Sequence, residues 1–190
     1  TVRDSDAPIG CCGANLNVHG STMIDSIIRA TNNSNRLEVN GSRLVDTPVS
    51  LPSASSVSIS NSSITYSEVL RKNQYYSEGL KLKNGTIVNT RISGDGIGAA
   101  IVSSGNLTVQ SSTFEMVGVG VKVSGANENG VKVLDGNFFG VSGHLIENAT
   151  NREINATGNY WGTTLASSIS DKIHDYYDDL NRGKVEYSSY

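Results

Sequence analysis

The chain has 190 residues, enough for one domain with a core of its own, and a formal net charge of −3 with only 17% Asp, Glu, Lys and Arg. That balance offers no basic field to a phosphate backbone, so nucleic acid is not an expected partner. No apolar run approaches the roughly 18 residues of a membrane span, and the abundance of Gly, Ser, Thr and Asn suits turns and short strands, so the expected class is all-β.

The first stretch, 1–13, opens at Thr1 rather than at methionine, as a processed or excised piece would. It shows no repeat and reads as an N-terminal arm that docks onto a neighbour or a preceding domain. Cys11 and Cys12 are adjacent there, and a bridge between neighbours strains the backbone. They read as unpaired thiols, with an interchain bridge or a metal ligand as alternatives.

From Leu16 onward an apolar residue is repeatedly followed, five positions later, by a larger or equal one: Val18/Met23, Val39/Leu44, Ile59/Ile64, Ile87/Ile92, Val109/Phe114, Val133/Phe138 and Ala156/Trp161. The second members recur at intervals in the twenties, the longest running from Ile64 to Ile92, and such a period means stacked coils. Two positions after each first member stand Gly20, Gly41, Asn61, Asn89, Ser111, Asp135 and Gly158, mostly residue types that tolerate a left-handed turn. Further apolar stretches, such as Leu80 with Leu82 and Val121 with Val123, read as the next strand around the coil. The expected fold is a single-stranded right-handed parallel β-helix of about seven rungs over 14–162. The alternative is a β-sandwich whose hairpins turn at Asn40-Gly41, Asn84-Gly85, Asn129-Gly130 and Asp135-Gly136.

Asp25 and Asp46 each fall two positions after an anchor, which puts them on neighbouring rungs about 4.8 Å apart. Two such carboxylates could hold Ca²⁺ or share a proton as an acid/base pair; as solvated corner residues they would only shape turns. Asp95 and Glu115 are out of register with each other, Asp135 lies in the left-handed corner column where Asp substitutes for Asn, and His19, His144 and His174 share no column, so none forms a catalytic group. No other metal site is expected.

The unit from Ile64 to Ile92 is the longest, and its extra residues include "YSEVLRKNQYYSEG" at 66–79. A loop thrown out there would gather Tyr66, Tyr75 and Tyr76 with Arg71 and Lys72, aromatic faces and polar groups suited to sugar rings. Arg91, in the outward column just before the anchor, extends that surface. The plainer reading is a short helix or loop packing Val69 and Leu70 onto the coil. Seven N-x-[ST] sequons, at Asn32, Asn40, Asn61, Asn84, Asn106, Asn148 and Asn155, suggest a glycosylated extracellular protein.

"GNYWG", at 158–162, holds the only tryptophan. Trp161 falls one step above Phe138 and would cover the open end of the stack. Beyond it Ile169, Ile173, Tyr177 and Leu180 recur at helical spacing, Ser168 with Asp171 makes a capping box, and Gly183 supplies a stop. A cap over 163–190, a short helix followed by the strand "KVEY", is therefore expected.

The run "INATGNYWGTTLASSISDKIHDYYDDLNRGKVEY" resembles the C-terminal end of right-handed β-helix repeat proteins of the pectin-lyase-like superfamily, tailspike and surface-protein types among them, through Asn159, Trp161, Gly162, Ile173, Asp175, Asp178, Asp179, Gly183 and Val185. The resemblance implies the fold and a structural cap; the superfamily holds both binding modules and enzymes. The expected function is an extracellular, cell-surface or virion module that recognises a polysaccharide or cell-surface glycan, or forms a rigid shaft. The alternative is a polysaccharide-active lyase, hydrolase or epimerase using outer-face carboxylates such as Asp25 and Asp46. No organic cofactor is expected, Ca²⁺ being the one ion with a candidate site. Assembly is expected as a homo-oligomer, a trimer by analogy with tailspikes, or onto neighbouring structural proteins.

Overall fold

A computed structural model describes residues 2–3, 6–9, 15–24, 27–30, 36–45, 49–51, 56–60, 63–65, 68–71, 80–83, 85–93, 99–125 and 130–187. The chain winds as a parallel β-solenoid in which strands pair with the third strand before and the third strand after, until the C-terminal end, where Ile173–His174 pairs with Ile146–Asn148 and Val185–Glu186 with Ile154–Asn155, each two strands earlier. Three sheets result, holding nine, seven and eight strands among the described residues, against the expected seven or so rungs. Among the described residues every pairing between strands is parallel, not the antiparallel pairing of a hairpin sandwich.

The register columns are continuous. In the nine-stranded sheet Val2, Met23, Leu44, Ile64, Ile87, Val109 and Val133 lie in register. In the seven-stranded sheet Ala7, Ile28, Val49, Val69, Ile92, Phe114 and Phe138 do so. In the eight-stranded sheet the column runs Val18, Val39, Ile59, Leu82, Ser103, Val123 and Asn148. Each fully buried aliphatic or phenyl side chain in these columns contributes about 1.5–3 kcal/mol, and the shape of the coil follows from stacking them.

The five-residue spacing proves to be the signature of a corner, and the coil has two corners of that kind. Val18/Met23, Val39/Leu44 and Ile59/Ile64 turn from the eight-stranded sheet into the nine-stranded one. Ile87/Ile92, Val109/Phe114 and Val133/Phe138 turn from the nine-stranded sheet into the seven-stranded one. Reading both as one series produced the apparent long unit. Ile64 aligns with Ile87 and Val69 with Ile92, one turn of the coil in each case, so the step from Ile64 to Ile92 is a turn plus a corner. Part of it, Glu68–Arg71, is a strand of the seven-stranded sheet rather than a helix or loop.

The left-handed column is real. Gly20, Gly41, Asn89, Ser111, Asp135 and Gly158 all have positive φ, between 48° and 73°; Asn61 lies outside the described residues. After Gly41, Ser111 and Gly158 the next residue supplies an adhesive between coils. Ser42 Oγ accepts the Ser21 N–H at 3.1 Å, Ser112 Oγ the Thr90 N–H at 3.2 Å and Asn159 Oδ1 the Gly136 N–H at 2.8 Å. Each side chain thus satisfies a corner amide that the sheet hydrogen bonds leave over.

The described parts of the N-terminal stretch belong to the coil. Val2–Arg3 pairs with the strand Thr22–Ile24, and Asp6–Ile9 with Ile27–Ala30. Val2 and Ala7 keep the five-residue spacing, but Ala7 is smaller than Val2, so the larger-or-equal rule passes over them. Cys11 and Cys12 lie outside the described residues.

The C-terminal end closes as expected, by a different route. Trp161 stacks on Phe138 with ring centroids 5.1 Å apart and 19° between planes, continuing the Phe114–Phe138 stack at 4.6 Å and 10°. These distances are close to the strand spacing itself. The helix is only five residues, Ala166–Ser170, with Leu165 at its N-cap and no side-chain capping bond, so the Ser168–Asp171 capping box does not form. Ile169 and Ile173 are buried, while Tyr177 and Leu180 are 76% exposed, so the four do not form one helical face. The chain leaves the helix because Ile173–His174 joins the eight-stranded sheet beside Ile146 and Glu147. The expected terminal strand forms at Val185–Glu186, closing the nine-stranded sheet.

Candidate recognition face

Strand alternation explains why Tyr160 and Trp161 are neighbours: one faces out where the other faces in. The outer positions of the seven-stranded sheet, from Arg91 to Gly162, surround the buried column of Ile92, Phe114, Phe138 and Trp161. On this face Phe139 is 42% exposed and Tyr160 half-buried, their ring centroids 5.4 Å apart at 54°. Beside them Met116, 62% exposed, holds a left-handed corner at φ 50° and donates its N–H to Phe139 O. Arg91 bonds Glu115 diagonally across the face, with Nε 3.0 Å from Oε2 and Nη2 on the same oxygen. The exposed pair adds little stability, on the order of 0–1 kcal/mol, and holds the guanidinium and the carboxylate in place next to the aromatic rings.

The result is a strip that sets exposed rings beside a fixed charge pair, Glu115 lying opposite Phe139 in register. Such a strip can stack the apolar faces of sugar rings and hydrogen-bond their hydroxyls or carboxylates. Glu115 is engaged by Arg91, and Asp135 occupies a left-handed corner where Gln110 Nε2 reaches its carboxylate at 3.4 Å.

Of the sequence-predicted binding residues, Arg91 stands on this face and Arg71 ends a strand of the same sheet, Glu68 of that strand lying opposite Arg91. Tyr66, Lys72, Tyr75 and Tyr76 lie outside the described residues, as do Asp25 and Asp46. Sequence reasoning missed Glu115, Met116, Phe139 and Tyr160. The signal was available: each of Glu115, Phe139 and Tyr160 adjoins an inward anchor and so must point outward. It also missed that the His144 and His174 rings lie 5.0 Å apart, because His144 precedes the strand Ile146–Asn148 and His174 ends the strand Ile173–His174 on the next coil, both outside the five-residue pattern.

The cap residues are brought together as a polar frame under the last coil. Asn159 is fully buried, its Nδ2 donating to Val133 O at 2.6 Å and Ala156 O at 2.8 Å. Gly162 has φ 77° and passes so close to Phe138 O that a Cβ would stand 2.8 Å from it. Asp175, also buried, accepts from Tyr177 N at 3.0 Å and Val185 N at 2.7 Å, while its own N–H donates to Asp178 Oδ2 at 3.1 Å. The Asp179 carboxyl is held below its ordinary range, chiefly by the Asn181 backbone N–H and then by its side-chain amide.

The sequons divide sharply. Asn148 is fully buried, with Nδ2 donating to Arg152 O at 2.7 Å and Gly183 O at 2.9 Å, so a glycan on that nitrogen is incompatible with this fold. It is a core turn-builder rather than an acceptor. Asn155 is exposed and accepts from Thr157; Asn40 and Asn106 are half-buried. Asn32, Asn61 and Asn84 lie outside the described residues.

Among the described residues no group of three or more His, Cys, Asp or Glu stands close enough to hold a metal ion, and no helix is long and apolar enough to cross a membrane. No known family profile, curated protein or solved structure matches the chain.

Proposed function

We propose that the protein is a non-catalytic polysaccharide-recognition module of an extracellular, cell-surface or virion structure, and that the glycan lies along the outer face of the seven-stranded sheet. The observation that carries this reading is the solvent-facing Phe139–Tyr160 ring pair. Large apolar side chains exposed together on a flat sheet call for a partner, and the adjacent Arg91–Glu115 pair supplies the polar groups that a sugar polymer needs. The likeness of the "GNYWG" cap to pectin-lyase-like proteins of the tailspike and surface type supports the same reading, and with it assembly as a trimer.

The test is a glycan-array screen of the purified chain, with hits incubated and inspected by mass spectrometry for cleavage. The expected result is binding without new products, weakened about tenfold by Phe139→Ala or Tyr160→Ala, the loss of one aromatic contact. Shortened or unsaturated products would instead make this an enzyme. Binding indifferent to both substitutions would move recognition off this face, and no binding at all would leave a rigid shaft.

A further inference from the structure

Two sequons fold into the same local turn with opposite results. In each, the asparagine side-chain oxygen accepts the N–H and the hydroxyl of the threonine two residues on: Asn148 from Thr150 at 3.1 and 2.8 Å, Asn155 from Thr157 at 3.2 and 2.9 Å. Once the oxygen is fixed, the planar amide sends its nitrogen the other way. In Asn148 that way is inward, and Nδ2 is taken up by Arg152 O and Gly183 O. In Asn155 it is outward: the residue is exposed between buried Ile154 and Ala156, and its Nδ2 donates to nothing among the described residues. Asn40 and Asn106 are half-buried, so among the described sequons only Asn155 is exposed.

A groove of about 580 Å³ opens beside it. Thr157, the turn partner, lines this groove, as does Glu186, which stands next to Asn155 in parallel register on the terminal strand. Tyr177 lines it too, 76% exposed. That ring is steadied by an edge-to-face contact with Tyr176 at 5.7 Å and by the Lys184 ammonium 5.7 Å from its centroid. An exposed ring held in this way offers a stacking surface at little further loss of side-chain entropy. Lys184 and Glu186 add a donor and an acceptor for hydroxyl or acetamido groups.

We propose that Asn155 is a site of N-linked glycosylation and that the first sugar ring lies in this groove against Tyr177. The modification joins Nδ2 to the anomeric carbon of a sugar carried on a lipid diphosphate. The C–N bond forms, the C–O bond to the diphosphate breaks, the lipid diphosphate leaves, and one Nδ2 proton passes to solvent. The covalent link then keeps the ring beside Tyr177 at high effective concentration, so a stacking contact too weak to capture a free sugar stays populated. The inference rests on the extracellular part of the proposed function, since donor and transferase are met on that route, and it is independent of the Phe139–Tyr160 face.

The full chain is secreted from a cultured animal cell line, which supplies donor and transferase. Its sugars are released by an amidase that leaves aspartate at each occupied asparagine, and the peptides are read by mass spectrometry. Expected are an occupied Asn155 and an unoccupied Asn148 in the folded, secreted protein. With glycans trimmed to the first N-acetylglucosamine, the urea unfolding constant is then compared for the parent, Asn155→Gln, Tyr177→Ala and the double variant. The sugar should lower that constant about threefold to tenfold in the parent, the range expected of one aromatic contact, and leave it unchanged in Tyr177→Ala. Tyr177→Phe, which keeps the ring, should retain the effect, and the exposure of Tyr177 leaves the core intact in both substitutions. An empty Asn155 overturns the proposal, as does a sugar effect undiminished in Tyr177→Ala, and an occupied Asn148 in the folded protein overturns the sorting of sequons by amide direction. Because the host is made to secrete the chain, an empty Asn155 counts against this inference and not against the extracellular reading, which is tested by where the native protein is found.

Discussion

Replacing Asn159 with alanine removes three hydrogen bonds at once: the Gly136 N–H loses its acceptor, and Val133 O and Ala156 O lose their shared donor. Asn159 is fully buried, and each stranded group costs about 1–3 kcal/mol. The deleted amide vacates room for about one water, which recovers part of that, so the expected loss is about 3–5 kcal/mol. Urea unfolding followed by Trp161 fluorescence reads it directly, because Trp161 is close by in the chain and stacks on Phe138. Asn159→Asp sharpens the reasoning. It keeps the acceptor for Gly136 but aims an anion at two carbonyl oxygens, so at neutral pH it should be at least as damaging. Burial and those carbonyls raise the new carboxyl above its unfolded value, so the deficit should shrink as pH falls through that raised value, where the protonated acid regains a donor. A cost below about 1 kcal/mol for Asn159→Ala, or an aspartate variant as stable as the parent at neutral pH, would refute this account of the corner.

At Gly183 a Cβ would meet Arg152 O at 2.0 Å and Arg152 C at 2.3 Å, both backbone atoms that cannot swing aside. Gly183→Ala is therefore expected to spring the terminal strand from the coil, seen as proteolytic loss of the segment after Arg182 and a melting midpoint lowered by several degrees. The Asp179 carboxylate, held below its ordinary 3.8 first by the Asn181 N–H, contributes stability that is complete above that value and fades as pH falls through the lower folded value. In Asp179→Asn that acid-sensitive component should vanish, so the stability gap between parent and variant should narrow from pH 7 to pH 3 in urea titrations, where an unchanged gap would count against it.

The fold was legible because its rule is local. A five-residue step around a left-handed residue recurs wherever the chain turns a corner, and Gly20, Gly41, Asn89, Ser111, Asp135 and Gly158 declare it in their residue types. What was not legible was which corner each pair belonged to, since Ile64 and Ile92 look alike in sequence although they lie in different sheets. The cap helix was overextended because Ile173 has helical spacing from Ile169, yet tertiary pairing with Ile146 draws it into a sheet. At the surface, the tyrosine cluster of 66–79 attracted notice through local density. Phe139 went unremarked and Glu115 was set aside as a catalyst, since adjoining an inward anchor shows only that each points outward, and only the stacking of coils brings Glu115 to Arg91 across 24 residues. Asn148 reads as a glycosylation site from three letters and proves to be a core residue for the same reason.

Since strands pair only with the coil above and the coil below, nearly every tertiary contact spans a single turn of the coil. Against a length of 190 residues this is a relative contact order of about 0.12, the range of mixed α/β domains rather than of β-sandwiches. An all-parallel architecture would ordinarily imply slow, distant pairing. Here the search for each new strand is limited to a loop of fixed size, so lengthening the coil adds steps to folding without making any one step slower.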